Sequence, residues 1–265
     1  MNGSHDIPLS HKEKLMLGMM IEAPCGARLY PIKMRQYEHW MQHKKAIIMR
    51  QSTLPAQFAV MPYLQAVFAI DIASGLQLGL IQSLRVLMSM ATLQPLDSID
   101  FFVSAEDQSR LLAICYKDAD DKQIRIEPKD FTAIREIIAE QNGEKLPDES
   151  ENPELVQAER DIASRQADNL VYDFETLLDS VSYASGKSMA EIFDMTVRSF
   201  NGLVSAIERD KMYTACLNGQ MSGMVSFKSG LPCPSWCFDR KKEGNAALEP
   251  LSAFAARTGI NPNIN

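Results

Sequence analysis

Along most of this chain apolar residues recur at every third or fourth position, and in one central section that period is lost. Met34 to Arg50 sets Tyr37, Trp40, Met41, Ile47 and Ile48 at helical spacing, with Lys44, Lys45 and Arg50 toward the end where a helix dipole favours cations. Leu54 to Ala73 is apolar on most faces and is cut by Pro55 and Pro62, which predicts one or two short buried helices. Leu76, Leu80, Leu84, Leu87 and Met88 predict a further helix over Leu76 to Met90. The period then changes. Ile99 to Val103, Leu111 to Tyr116 and Gln123 to Ile126 predict strands, the last two joined by a turn at Lys117 to Lys122, and together they predict a small antiparallel sheet. Near the N-terminus, Leu15 to Ile21 and Arg28 to Ile32 flank Ala23-Pro24-Cys25-Gly26 and predict a hairpin.

Pro128 opens a helix whose core stripe is Phe131, Ile134, Ile137 and Ile138, and Asn142-Gly143 ends it. Gly143 to Asn152 is polar and contains Pro147, so a linker is expected there. Asn152-Pro153 restarts a helix that the pattern carries to about Asp179. Ser188 and Glu191 form a capping box, and Thr196 caps a helix with Val197, Phe200, Leu203, Val204 and Ile207 on one face. The expected architecture is α+β and mainly helical. An α+β domain over residues 1–145 carries the hairpin and the small antiparallel sheet, a helical domain over residues 152–240 ends in an irregular Gly/Pro/Cys segment, and a flexible tail covers residues 241–265.

Composition narrows the function classes. The chain has 265 residues, 46% of them hydrophobic and 23% charged, and no apolar run reaches the roughly 20 residues that span a bilayer. No membrane association is expected. A polar start with Asp6 and Pro8 gives no expectation of export, and five dispersed cysteines suit free thiols in a reducing cytoplasm. The net charge of −7 argues against a nucleic-acid partner. Much of the excess lies between Glu140 and Asp179, read as a solvated helix face or an acidic docking surface. The 15 methionines suit an irregular core or an adaptable binding surface.

Candidate chemistry is sparse. Ser185-Gly186-Lys187-Ser188 lacks the earlier glycine of a phosphate-binding loop, since Val181 stands there, so Gly186 reads as a helix stop. His39 and His43 have the spacing of a helical metal pair, but no third ligand is near in sequence. Cys233 and Cys237 are three residues apart where zinc knuckles and redox pairs usually leave two. No nucleophile elbow or catalytic pair emerges, so no catalytic residue, cofactor or metal is expected. A zinc-binding interaction module built on Cys233, Cys237 and the His39/His43 pair stays open as an alternative.

Three segments carry a resemblance. Ile126-Glu127-Pro128-Lys129-Asp130-Phe131, with Arg135 to Ile138 and Gln141-Asn142 after it, resembles a pattern of small tail-morphogenesis proteins of tailed phages. Met195 to Phe200 and Met221 to Lys228 do likewise. The hairpin, helices and sheet are similar in outline to baseplate-hub assembly proteins of contractile-tailed phages, and the shared features span residues 15–240. This resemblance implies a protein without enzymatic activity. It would be a chaperone for the tape-measure protein or tail initiator, acting in the host cytoplasm, or a baseplate subunit retained in the virion. Homo-oligomers are compatible with either. The expected partner-binding strip is Met221, Met224, Val225, Phe227, Trp236 and Phe238, read alternatively as packing of an irregular segment onto the helical domain.

Overall fold

The computed structural model describes residues 9–150, 158, 161, 173–223, 233 and 235–237. It divides into two units, Met1–Leu203 and Val204–Asn265. The chain is mainly helical, with two small antiparallel sheets in the first unit. The expected division at residues 145–152 falls inside that unit.

Helix α1 (His11–Met16) starts at a capping box in which the Ser10 hydroxyl accepts from Glu13 N at 3.3 Å and the Glu13 carboxylate accepts from Ser10 N at 2.8 Å. Leu15 and Met16 therefore belong to a helix and not to the expected first strand. The hairpin comes next, made of β1 (Ile21–Glu22) and β2 (Arg28–Leu29) with Ile21 opposite Leu29. The long helix expected over Met34 to Arg50 is a 3-10 turn at Met34–Gln36, then α2 (Tyr37–His43) and α3 (Lys45–Ile48), interrupted at Lys44. Its buried side is as expected at Trp40 and Ile47. The three cations make tertiary bonds: Lys44 to Glu144, Lys45 Nζ to Leu78 O, and Arg50 to Asp148 O.

Pro55 and Pro62 each stand directly before a helix, α4 (Ala56–Ala59) and α5 (Tyr63–Ala73), where a missing N–H costs no helical bond. Helix α6 is Leu80–Thr92, later than its apolar pattern predicts. Leu76 lies instead in a turn, at φ 65° between Gly75 and Gly79, which also have positive φ. Strands β3 (Asp100–Val103), β4 (Leu111–Lys117) and β5 (Gln123–Ile126) form the predicted sheet in that order. Phe101 pairs with Ile114, which pairs with Ile126, and Phe68 of α5 stacks on Phe101 at 6.3 Å.

Helix α7 (Phe131–Gln141) buries Phe131, Ile134 and Ile138 as the periodicity predicts, and also Arg135. The Arg135 guanidinium donates to Ile47 O and Met49 O and lies 3.6 Å from the centre of the Tyr63 ring. Tyr63 Oη in turn donates to Ala46 O at 3.1 Å. Burial pushes the Tyr63 phenol up to about 12, against a partial offset from Arg135. The expected linker after α7 is bound in place over residues 143–150. The Glu149 carboxylate accepts from Gln51 N and Ser52 N at 2.9 and 2.8 Å. Gly143, at φ 74°, closes α7 where Arg198 comes within 3.6–3.8 Å of the place a Cβ would occupy.

Helix α8 (Phe174–Ser185) is capped by Asp173 and stopped by Gly186 at φ 69°. Most of the helix expected from Asn152 to Asp179 lies outside the described residues; within them it does not run through unbroken, since Asp173 is extended and a new helix starts at Phe174 and continues past Asp179 to Ser185. The Ser188/Glu191 capping box opens α9 (Met189–Asp194) as predicted. Thr196 Oγ1 accepts from Ser199 N at 3.1 Å and starts α10 (Val197–Met221).

The extended segment from Leu29 to Met34 runs through the interior of the first unit. Leu29, Ile32 and Met34 are all buried. Its backbone groups find partners on three helical elements. Leu29 O accepts from Gln141 Nε2, Tyr30 N donates to Ala91 O at the end of α6, and Ile32 N donates to Asn142 Oδ1 at 3.0 Å. Ile32 O accepts from Val197 N, and Met34 N donates to Met195 O.

Asn142 is completely buried, and its amide also donates to Ile138 O at 2.7 Å. Asn142→Ala strands the Ile32 N–H in the core and is expected to lower stability by about 2–4 kcal/mol. Urea unfolding measures the change, and a loss under about 0.5 kcal/mol would refute the role given to Asn142. The Tyr63 phenol gives a second test. Unfolded, it ionises near pH 10, the ordinary value; folded, it holds its proton to about 12. The folded state then binds more protons than the unfolded one between these values, so stability is intact below pH 10 and declines toward pH 12. The loss attributable to Tyr63 is about 2–3 kcal/mol. Comparing wild type and Tyr63→Phe by denaturant titration across that window should show the shallower decline in the variant.

Candidate functional site

Residues 54–84 contain a single charged side chain, Asp71. At the chain-wide share of 23% a stretch of this length would carry about seven. Asp71 is itself buried, and its Oδ2 accepts from Ile81 N at 2.8 Å near the start of α6. The side chains of α4, α5 and the turn after α5 therefore put no charge of their own on the surface, although Lys45 reaches over from α3 to bond Leu78 O. Val60 is 84% exposed, Leu76 58% and Leu78 43%, so much of this surface is apolar and wet. Isolated exposed apolar side chains are ordinary in proteins; their concentration in one uncharged stretch is what sets this surface apart.

A groove of about 660 Å³ opens on the same surface, wholly within the first unit. One wall is α4–α5, with Phe58, Met61, Ala69, Ile72 and Ala73. The facing wall is the β3–β4 loop and the start of β4, with Asp107, Ser109, Arg110 and Leu112. Helix α5 is apolar on nearly every side, so the face it does not pack against α6, α7 and β4 remains apolar where it meets solvent. Phe58 and Ala69 join a small core cluster beneath the groove, with Leu54, Met61 and Ile70 against it.

Gln65 holds the two walls together. Its Nε2 donates to Ser109 O and its Oε1 accepts from Leu111 N, both at 2.8 Å. The side-chain amide thus occupies one donor and one acceptor on the strand end, as a neighbouring strand would. Gln51 performs a related task beneath α4, donating to Met61 O and Ala59 O. On the rim, the hydrogen bonds from Ser109 hold the Asp107 carboxyl below the usual range, and nearby Arg110 acts in the same direction.

The expected partner-binding strip lies elsewhere, in the second unit. Met221 is 84% exposed and Trp236 60% exposed, while Met224, Val225, Phe227 and Phe238 lie outside the described residues. Cys233 Sγ donates toward Ser235 O at 3.4 Å and Arg209 O at 3.7 Å, and Ser235 Oγ is 3.4 Å from Cys237 Sγ. All five cysteines are free. In the first unit the His39 and His43 rings lie parallel with centres 6.5 Å apart, and His43 Nδ1 is 3.2 Å from Ser83 Oγ. Desolvation, with help from His39 and Lys45, shifts His43 toward its neutral form. Among the described residues no group of three or more His, Cys, Asp or Glu side chains gathers as a metal site requires. Nor is any described helix long and apolar enough to cross a membrane.

The groove was not anticipated from periodicity, because Met61, Ala69 and Ile72 read as ordinary core residues. The charge gap from residue 54 to 84 was the available signal. Comparisons of the chain with known protein families, curated proteins and solved structures found no match.

Exposure makes a direct prediction for Trp236. A side chain 60% exposed contributes little packing, so Trp236→Ala should change stability by less than about 1 kcal/mol. A large drop in the melting temperature would instead show that Trp236 packs in the fold.

Proposed function

We propose that this protein acts by binding another protein during assembly of a phage tail, as a chaperone of the tape-measure protein or tail initiator. The observation that carries the reading is the uncharged apolar surface of residues 54–84 with its groove. A chaperone for a long apolar chain needs exposed apolar area, together with enough net charge of its own to resist self-association. The chain combines such a surface with a net charge of −7. Exposed Met221 and Trp236 offer a second apolar contact in the other unit. The resemblance of residues 126–142, 195–200 and 221–228 to tail-morphogenesis proteins supplies the biological setting.

One observation favours a second reading, a baseplate or hub subunit retained in the particle. Strands β3–β5 form a three-stranded sheet inside the first unit, whereas tail chaperones are expected to be shorter and helical throughout. Both readings place the protein in the infected host cell during assembly and differ in where it ends.

Co-expression with a tape-measure protein of the same genome should raise that protein's soluble fraction, and the two should co-purify. Absence of both effects would sink the chaperone reading. Mass spectrometry of purified virions separates the two fates, since a chaperone is absent from the finished particle and a subunit is present.

A further inference from the structure

The β-side lip of the groove has its main-chain groups already engaged. Ser109 N donates to Asp107 Oδ1 and Arg110 N to Asp107 O, each at 2.9 Å. Leu111 N and Ser109 O are bonded to the Gln65 side chain, and Arg110 O accepts from Ser104 N at 2.9 Å. An extended peptide that adds to a sheet edge gains its affinity from main-chain hydrogen bonds, and this lip offers it no unused N–H from Ser109 to Leu111. A helix satisfies its own backbone and needs only apolar area and room.

The opposite wall provides both. Met61, Gln65, Ala69 and Ile72 follow one another at steps of three and four along the α4–α5 wall, and Ala69 and Ala73 leave its floor low between larger neighbours. From Pro62 to Ala73 the wall measures about 17 Å, the length of a helix of about three turns. This wall carries no charge that reaches the surface, whereas the β-side lip carries Asp107 and Arg110. Asp107 and Arg110 on this lip complement opposite charges at the polar edge of an occupant.

We infer that the groove between α5 and the start of β4 receives an amphipathic helix of a partner protein, its apolar face against Met61, Ala69, Ile72 and Leu112. The inference deepens the binding function proposed above and rests on that reading for the identity of the partner. Gln65 is the positioning residue: by filling the hydrogen-bonding groups of the lip, it makes the groove selective for helices over strands.

A fluorescein-labelled synthetic peptide of about 12 residues tests this, with leucines on one helical face and Glu–Lys pairs on the other. The peptide should bind the full-length chain saturably by fluorescence anisotropy. Ile72→Asp and Leu112→Asp, at positions 36% and 40% exposed, should each weaken binding by roughly tenfold or more without loss of the folded circular-dichroism spectrum. Two positions guard against one variant failing to fold. Leu93→Asp, 60% exposed and outside the groove, should leave binding unchanged.

Absence of binding, equal binding by both groove variants and wild type, or equal binding of a proline-interrupted peptide of the same composition overturns the inference. So does a wild-type dimer in sedimentation that Ile72→Asp converts to monomer, because a second copy then occupies the groove. If the peptide fails while the tape-measure protein is still solubilised, the groove assignment falls and the chaperone reading stands. Peptide binding without any effect on the tape-measure protein gives the reverse.

Discussion

The Leu29–Met34 segment is the constraint on which the first unit depends. Past Leu29, which pairs with Ile21 of β1, this buried main chain has no strand ladder to satisfy its N–H and C=O groups, and each unmet group costs on the order of a kilocalorie or more. Here the partners come from the end of α6, from two adjacent side chains at the end of α7, and from the junction of α9 with α10. Three helical elements far apart in sequence are thereby fixed against one strand of backbone. The side chains of Leu29, Ile32 and Met34 fill the space between them. Gln141 and Asn142 are buried in this role, Gln141 as a donor to Leu29 O and Met19 O and Asn142 as the acceptor for Ile32 N.

Arg135 performs a similar service for the chain between α3 and α4. Its charge is partly desolvated, but the carbonyls of Ile47 and Met49 accept its N–H groups and the Tyr63 ring faces the guanidinium. Burial drives the pKa of Arg135 downward and that of Tyr63 upward, so it favours the neutral form of each group, while the attraction between them opposes both shifts. Glu149 adds a compensating charge from the strap after α7. Residues 143–150 are consequently part of the first unit, although their composition is that of a linker.

Much of the fold was legible because one physical signal dominated in each place. Loss of the helical period in runs of strand-forming residues between turn signals gives β3, β4 and β5, and prolines mark the starts of α4 and α5. The Ser188/Glu191 box and Thr196 marked α9 and α10. The failures have equally specific causes. Helix α1 was hidden in a polar leader because only Leu15 in it is buried, leaving the Ser10/Glu13 box as its one signal. The start of α6 was placed too early because Leu76 falls in step with Leu80 and Leu84, and periodicity carries no information about a positive φ. Asn142 reads with Gly143 as a helix stop, and Gln141 carries no signal of its own, since the buried partners of both lie more than a hundred residues away. The groove escaped for a related reason. A sequence shows that residues 54–84 lack charge, but which of their apolar side chains face solvent is decided by α6, α7 and β4.

The seam at Ile32 also sets an order of events for a chain made from its N-terminus. The partner of its N–H, Asn142, is 110 residues further on, and the partner of its C=O, Val197, is 165 further on. Until those residues are made, therefore, the Ile32 N–H and C=O have only water to bond, and the stretch of residues 54–84 is made before the sheet and α7 that partly cover it. Contacts of such long separation close slowly, and exposed apolar chain is vulnerable while they do. The apolar surface of residues 54–84 is thus most exposed while the chain itself is being made.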